Sequence, residues 1–230
     1  MKLRWADVSL RRHLPSSEFD EFSGGLAVCA ACASSADMQR LAAFKKAFPK
    51  NVFAAFGVHP KYLGGFNKDV FASFLDNADA VGEIGFDKYS SFDLAFQRNC
   101  FEAQAGAAIP RNLPVIIHEV GHWNELELSL KRLRPKRFLI HAAKCSAELV
   151  KKFEKMGGWF SFGERELKLK SGRDALAAAG KNRILLESDS FPSIEKMEKT
   201  YFLASEILNL KEVELCRLIG ENFSEFFKNG

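Results

Sequence analysis

Histidine and carboxylate side chains stand at the downstream ends of several short apolar segments. They are Glu83, His118, His141 and Asp189, which end segments 80–83, 114–118, 138–141 and 184–189. In a sheet of parallel strands, the downstream ends of all strands meet at one face. Imidazole nitrogens and carboxylate oxygens are atoms that bind divalent cations in proteins. The four residues therefore predict a metal site at that face and an enzyme that uses it for hydrolysis.

A structural role is the alternative for each of these residues taken alone. A single histidine at the end of an apolar segment is more often a hydrogen-bonded structural residue than a ligand. Four residues of ligand type at four separate strand ends are harder to explain in this way. His13, another of the five histidines, follows the first apolar segment and is a further candidate ligand.

Eight short apolar segments are typical of buried strands. Several are apolar throughout, as expected for strands that are covered on both faces. They span residues 3–8, 26–33, 52–58, 80–84, 115–118, 138–141, 159–162 and 184–186. Helical patterns lie between them, such as the apolar stripe formed by Phe92, Phe96, Cys100, Ala103 and Ala107.

This alternation of strands and helices favours parallel pairing through right-handed crossovers. Eight such units predict an α/β fold, the (β/α)8 TIM barrel, although 230 residues are fewer than the usual ~250. Two extra helices are expected after the eighth strand, over Ile194–Leu208 and Lys211–Phe227. Because no linker or repeat divides the chain, we expect residues 1–230 to form a single domain.

The composition narrows the range of functions. Apolar residues make up 47% of the chain, enough for a hydrophobic core, and the net charge is only +4. This charge permits an anionic partner without the concentrated basic surface of a strong nucleic-acid binder. No signal peptide and no apolar run of about 18 residues is evident, so a cytoplasmic protein with no membrane partner is expected. We also expect a monomer.

The pair Cys29 and Cys32 has the spacing of a redox or zinc motif. The two residues lie within an apolar, strand-like segment, and the chain has no second pair with this spacing. Residues three apart on a strand point to opposite faces. We therefore interpret both cysteines as buried core residues.

Short motifs follow one another in a specific order along most of the chain. They are Phe56-Gly-Val-His-Pro60, Val81-Gly-Glu-Ile-Gly-Phe-Asp87, Phe96-Gln97, Leu113-Pro-Val-Ile-Ile-His118, Ile140-His141, Phe160-Ser-Phe-Gly163, Leu185-Leu-Glu-Ser-Asp189 and Glu221-Asn-Phe223. Each motif alone is modest, but their order and spacing together are specific. By these motifs the sequence resembles the TatD family of metal-dependent deoxyribonucleases, within the superfamily of amidohydrolase-like barrels.

The resemblance implies one or two divalent cations (Mg²⁺, Mn²⁺ or Zn²⁺) in a cleft that cleaves phosphodiester bonds, with DNA as the partner. Glu83 would bridge the two ions of the family pattern. His118 and His141 would hold the second ion, and Asp189 would hold the first. Glu83 and Asp189 would be the catalytic carboxylates, with Asp189 orienting or deprotonating the attacking water. His59 would line the phosphate pocket.

The chain departs from the family pattern after its first strand. The pattern reads Asp-x-His-x-His-Leu, and two alignments compete for it. Alignment on Asp7 loses both histidines, whereas alignment on His13 keeps one and replaces the other by Arg11. The second alignment also fits the residues that follow. In that alignment His13 is a metal ligand, while Arg11 cannot bind a cation but can pair with a carboxylate or a phosphate.

Two further departures concern the binding of phosphate. The family's His-x-Arg pair reads His118-Glu119-Val120 here, so the arginine is absent. The family's His-Pro-His reads His59-Pro60-Lys61, where Lys61 can still contact a phosphate as a point charge. Other basic residues follow the seventh strand on the catalytic side, where they could contact a nucleic-acid backbone. They are Arg165, Lys168, Lys170 and Arg173.

Two functions are consistent with these patterns. The first is a metal-dependent phosphodiester hydrolase, a TatD-like deoxyribonuclease, with a one-metal or weakened site. The alternative is a non-catalytic or small-substrate descendant of the barrel that binds phosphate or a partner through the altered cleft. Metal content and activity discriminate between them.

Overall fold

Eight strands form one sheet in the computed structural model, which describes residues 5–10, 26–189 and 194–228. The strands are β1 (Trp5–Leu10), β2 (Leu26–Ala31), β3 (Val52–Phe56), β4 (Ala80–Asp87), β5 (Val115–Val120), β6 (Phe138–Ile140), β7 (Gly158–Phe162) and β8 (Ile184–Leu186). Each strand pairs in parallel with the next strand along the chain. The parallel α/β fold expected from the alternating segments is thereby confirmed.

Helices connect the strands and continue beyond the last one. They are α1 (Met38–Ala47), α2 (Lys68–Phe74), α3 (Leu94–Ala108), α4 (Trp123–Leu133), α5 (Ala147–Glu154), α6 (Glu164–Leu167), α7 (Lys170–Ala178), α8 (Ile194–Leu208) and α9 (Glu212–Phe226). Side chains of Asn67, Asp93 and Ser146 accept hydrogen bonds from backbone N–H groups at the starts of α2, α3 and α5. Among the described residues, no helix has both the length and the apolar character to cross a membrane.

The two edge strands of the sheet, β1 and β8, lie against each other. Helix α9 contacts both of them. On α9, the ring centroid of Phe223 lies 5.0 Å from that of Phe53 on β3, and Phe226 lies 5.4 Å from Trp159 on β7. The last helix therefore packs across strands from both halves of the sheet.

Large apolar side chains fill the core around the strands. The rings of Phe56, Phe86, Phe138, Phe160 and Phe162 are almost fully buried. Each such burial contributes about 1.5–3 kcal/mol to folding. Close packing of this kind fixes the strand ends relative to one another. The polar residues at those ends are therefore held on a rigid support.

The fourth strand is longer than the apolar pattern predicted. The pattern ended at Ile84, whereas β4 continues to Asp87. The extension forms because Phe86 and Asp87 pair with Glu119 and Val120 of β5. Apolar periodicity does not indicate this extension, since it ends in a charged residue. As a result, β4 brings a second buried carboxylate to the same end of the sheet as Glu83.

Cys29 and Cys32 are both buried, which confirms the interpretation from the sequence. The thiol of Cys32 donates to the carbonyl oxygen of Gly57 at 3.2 Å. Burial raises the pKa of the Cys32 thiol to about 12. The thiol is therefore protonated at neutral pH and is neither a nucleophile nor a metal ligand in this state.

The Asn222 side chain connects α9 to the start of β8. Its Nδ2 group donates to the carbonyl oxygens of Lys181 (2.7 Å) and Ile184 (2.8 Å). We expect Asn222→Ala to lower the free energy of unfolding by about 2 kcal/mol, because two carbonyl groups lose their donor. Thermal denaturation measures this loss. Ser224→Ala, which removes a hydroxyl bonded within α9, is the control, and an equal loss in both variants would contradict the assigned role.

Candidate active site

Four polar residues come together at the downstream ends of separate strands. Glu83 lies on β4 and His118 on β5, while His141 follows β6 and Asp189 follows β8. The Nδ1 atom of His118 lies 3.1 Å from Nε2 of His141, and that Nε2 atom lies 3.5 Å from Oε2 of Glu83. Glu83, His118 and His141 are buried, and Asp189 is partly exposed. The structure therefore brings the four residues together as the strand-end pattern indicated.

Two groups of side chains in this cluster have the spacing that a metal ion needs. The first contains His59, Glu83 and His118, and the second contains Glu83, His141 and Asp189. Within each group, the candidate ligand atoms lie within 4.8 Å of one another. Mixed imidazole and carboxylate donors suit Zn²⁺ or Mn²⁺. The donor set thus fits one or two divalent cations, with Glu83 common to both groups.

His59 lies beside His118 in the site. It was expected to line a phosphate pocket, and its ring centroid lies 4.2 Å from that of His118. The side chain is buried, and it belongs to one of the two ligand groups. The signal was present in the sequence, because His59 follows β3 in the same way that His141 follows β6.

His118 and His141 have opposite protonation in the protein without metal. Burial, together with the charges of His141 and His59, lowers the pKa of His118 to about 3. Burial alone would also lower the pKa of His141, but the charges of Glu83 and Glu187 raise it to about 9. His141 is thus an imidazolium at neutral pH and donates to His118. The protonated ring lies close to Glu83 and Asp189, which are also candidate metal ligands.

Asp87 orients His118 from the end of β4. Its Oδ2 atom lies 3.1 Å from Nε2 of His118 and 3.2 Å from Nζ of Lys61. Burial alone would raise the pKa of Asp87, but hydrogen bonds from Tyr89 N–H, His118 and Lys61 hold it below its usual value. This ionised carboxylate fixes the tautomer of His118 that has its proton on Nε2.

Glu187 supports His141 in a similar way. Its carboxylate accepts hydrogen bonds from the backbone N–H of Ala142 at 2.8 Å and from the hydroxyl of Ser161. The same carboxylate lies 3.7 Å from Nδ1 of His141. Glu187 is fully buried, so it holds the imidazole in place and adds negative charge beside it.

Asp189 is in contact with an arginine of the described part of the chain. Its Oδ2 atom lies 3.4 Å from Nη2 of Arg165 on α6. Arg11, which the favoured alignment allows to pair with a carboxylate or a phosphate, lies outside the described residues, as does His13. The backbone of Asp189 has φ 44°, a conformation that is uncommon outside glycine and that concentrates at functional sites.

The end of β5 has an acidic residue and an apolar one after His118. Burial raises the pKa of Glu119 to about 8, and one of its oxygens accepts from the backbone N–H of His122. Beside His141 lies a cavity of about 130 Å³, lined also by Glu119 and Lys144. The site therefore continues into a small cavity on the β5 side.

Gly85 allows β4 and β5 to approach closely next to the site. Its φ angle is +147°, and a Cβ atom built on it would lie 2.0 Å from the carbonyl oxygen of His118. Any side chain at this position would therefore displace the backbone that carries His118. The glycine of the Gly-Glu-Ile-Gly segment is required for the position of this histidine.

A family model described as TatD related DNase matches residues 16–228. This range contains Glu83, His118, His141 and Asp189, and it begins after Arg11 and His13. The chain belongs to the TatD family. The membership that the motifs suggested is therefore confirmed, and it rests on the part of the chain that carries the described site.

Solved structures share the fold of this TatD-family protein over almost its whole length. YJJV, a TatD homologue from Escherichia coli K12, has 22% sequence identity and a TM-score of 0.84, with 98% of each chain covered. A TatD-family hydrolase from Entamoeba histolytica has 14% identity and a TM-score of 0.85, with both chains covered completely. The phosphotriesterase homology protein from Escherichia coli, whose structure contains phosphate in its active site, has 16% identity and a TM-score of 0.61, with 97% of this chain and 98% of that chain covered. No curated protein matches the sequence.

Proposed function

We propose that this TatD-family protein is a metal-dependent hydrolase that cleaves phosphodiester bonds in DNA. The observation that carries the proposal is the position of Glu83, whose carboxylate belongs to both candidate ligand groups. A carboxylate placed in this way can bridge two cations, which together stabilise the attacking and leaving oxygens of a phosphoryl displacement. The phosphate in the active site of the Escherichia coli phosphotriesterase homology protein supports a phosphate ester as the substrate.

The proposal extends to the architecture that holds the site. We take the contact of β1 with β8 as the closure of a (β/α)8 barrel that residues 1–230 form as a single domain. The site would then lie at the C-terminal face of the barrel, where enzymes of this fold bind their substrates.

Divalent cations would be held by the two ligand groups. Glu83 with His59 and His118 would hold one ion, and Glu83 with His141 and Asp189 would hold the other. When bound, Mg²⁺, Mn²⁺ or Zn²⁺ would lower the pKa of a water molecule and polarise the phosphoryl oxygen. This assignment differs from the family pattern, in which His118 and His141 share one ion.

The other residues of the site bind, orient and transfer protons. Asp189 accepts the proton of the attacking water. Asp87 and Glu187 hold the rings of His118 and His141, which limits their rotation. The Nζ atom of Lys61 lies 3.2 Å from Oδ2 of Asp87. Because an ammonium group has three N–H donors, Lys61 can also donate a hydrogen bond to a phosphate oxygen.

The first-strand residues keep the roles that the favoured alignment gives them. His13 is proposed as an additional ligand on the Asp189 side. Arg11 is proposed to bind substrate phosphate or to neutralise the negative charge of a carboxylate in the site. With Arg11 in place of a histidine, we expect the site to bind one ion more tightly than the other.

The direct test combines metal content with activity. The protein is treated with a chelator, reloaded separately with Mn²⁺, Zn²⁺ or Mg²⁺, and assayed on bis(p-nitrophenyl) phosphate and on single-stranded and duplex DNA. We expect hydrolysis that depends on the added metal and metal that remains bound after gel filtration. A protein that retains metal but cleaves neither substrate would instead support a non-catalytic or small-substrate role.

Metal binding is expected to release about one proton at pH 7, because the imidazolium of His141 must lose its proton to become a ligand. Since the pKa of His141 is raised to about 9 from its ordinary value of 6.5, the protonated form stabilises the metal-free fold below pH 6.5. That stabilisation is lost as the pH rises through 9. Metal affinity should therefore increase by about tenfold per pH unit towards pH 9.

Isothermal titration with Mn²⁺ in two buffers of different ionisation enthalpy measures the released proton. His141→Gln should abolish the release, whereas His122→Gln, which changes a histidine outside the two ligand groups, should leave it unchanged. An affinity that is independent of pH between 7 and 9 would show that His141 is not a ligand.

A further inference from the structure

Arg165 extends towards the candidate site from the segment after β7, which carries none of the predicted metal ligands. It lies on α6, directly after β7, and its Nη2 atom lies 3.4 Å from Oδ2 of Asp189. Asp189 belongs to one of the two groups that could hold a metal ion. The guanidinium is therefore positioned at the edge of the reaction site.

Glu166 holds the guanidinium in this position. The Nε atom of Arg165 donates to Oε1 of Glu166 at 2.8 Å, and the Glu166 side chain is fully buried. The backbone of Glu166 is itself fixed, because its carbonyl accepts from Leu169 N–H at 3.0 Å and lies where a Cβ atom on Gly172 would approach to 2.1 Å. A buried carboxylate that pairs with an arginine restricts the guanidinium to one side of the site.

The position of Arg165 allows a ligand to reach it. Its side chain is 66% exposed, whereas that of Asp189 is only 11% exposed. A guanidinium has five N–H donors in a planar fork that matches two phosphate oxygens. Arg165 can thus face an anion on its open side while Glu166 holds it from behind.

Among the described residues, two cations pair with carboxylates of the cluster. Lys61 pairs with Asp87 on the side of His118, and Arg165 pairs with Asp189 on the β8 side. At the end of β5, the TatD pattern has an arginine where this chain has Val120. Lys61 and Arg165 are thus two separate cations of the described site that could contact phosphate.

We propose that Arg165 is the phosphate-binding residue of this site and compensates for the arginine that is absent after β5. The inference rests on the proposed function, since it names the part of the site that binds the scissile phosphate. Asp189 repels an anion at Arg165 unless a cation neutralises its charge. Phosphate and metal should therefore strengthen each other's binding, and by linkage the two effects are equal.

The test measures the binding of inorganic phosphate to the protein by isothermal titration, with and without Mn²⁺. We expect the wild-type protein to bind phosphate at least about fivefold more tightly with Mn²⁺, which is a typical allosteric coupling. Arg165→Ala should weaken phosphate binding by at least about tenfold, because charged hydrogen bonds are lost. Arg165→Lys should give an intermediate affinity, since it keeps the charge but loses the planar fork.

Arg217→Ala is the matched control, because it removes the same charge from the exposed face of α9. It should bind phosphate as the wild type does. An Arg165→Ala variant with unchanged phosphate affinity, or a loss that Arg217→Ala shares, would overturn the proposal. So would an equal loss of Mn²⁺ binding in Arg165→Ala, which would assign Arg165 to the metal site alone.

The same samples separate this inference from the proposed function. If the wild type hydrolyses bis(p-nitrophenyl) phosphate but Arg165→Ala keeps its KM, the role of Arg165 is wrong and the function stands. If no metal supports hydrolysis but phosphate binding still depends on Arg165, the function is wrong and the anion site stands.

Discussion

Glu83→Gln is expected to abolish tight metal binding and to lower kcat/KM for bis(p-nitrophenyl) phosphate by at least about a thousandfold. Glutamine keeps the size of the side chain but removes the charge that two ligand groups share. It also removes one of the charges that raise the pKa of His141. Metal content by elemental analysis and steady-state kinetics in Mn²⁺ measure the two effects.

Glu198→Gln is the matched control, since Glu198 is exposed on α8. Its metal content and activity should equal those of the wild type. A Glu83→Gln protein that keeps both the metal and the activity would show that Glu83 has only a structural role. A variant that loses activity but keeps the full metal content would show that Glu83 acts on the substrate and does not bridge the ions.

Gly85→Ala is expected to lower the free energy of unfolding by about 3 kcal/mol or more. The added Cβ atom would lie 2.0 Å from the carbonyl oxygen of His118, and the backbone has φ +147°. For a chain of this size, the loss corresponds to a decrease in Tm of roughly 6–12 °C. Because the clash displaces His118, metal affinity should fall as well.

The control for this change is Gly106→Ala. A Cβ atom on Gly106 would meet no other atom within 4 Å, and the residue lies within α3. Alanine there should stabilise the protein by about 0.5–1 kcal/mol, because it favours the helix. Equal stability of the Gly85→Ala and Gly106→Ala proteins would contradict the close approach of β4 to β5 that the structure describes.

The arrangement of the strands could be predicted from the sequence because buried parallel strands give continuous apolar segments. The ends of those segments were less predictable. β4 continues past Ile84 through a pairing with β5, and this pairing between distant residues leaves no periodic signal in the chain. The strand that carries Glu83 was therefore identified without the extension that places Asp87 beside His118.

The residue types of the site could be predicted for a similar reason, but the partners of each residue could not. Glu83, His118, His141 and Asp189 are all marked by their places after apolar segments. Which imidazole is charged depends on burial and on nearby carboxylates, and these depend on side chains from five strands or their following loops. The contact of Arg165 with Asp189 joins α6 to the segment after β8, so local sequence does not specify it.

Anomalous X-ray diffraction from crystals of the protein loaded with Mn²⁺ tests the central claim most directly. It locates bound metal without any assumption about activity. Our account predicts a strong anomalous peak at bonding distance from the Glu83 carboxylate, with His118 or His141 as a second ligand. Manganese peaks at the protein surface, with none beside Glu83 while His118 and His141 stay hydrogen-bonded to each other, would contradict it.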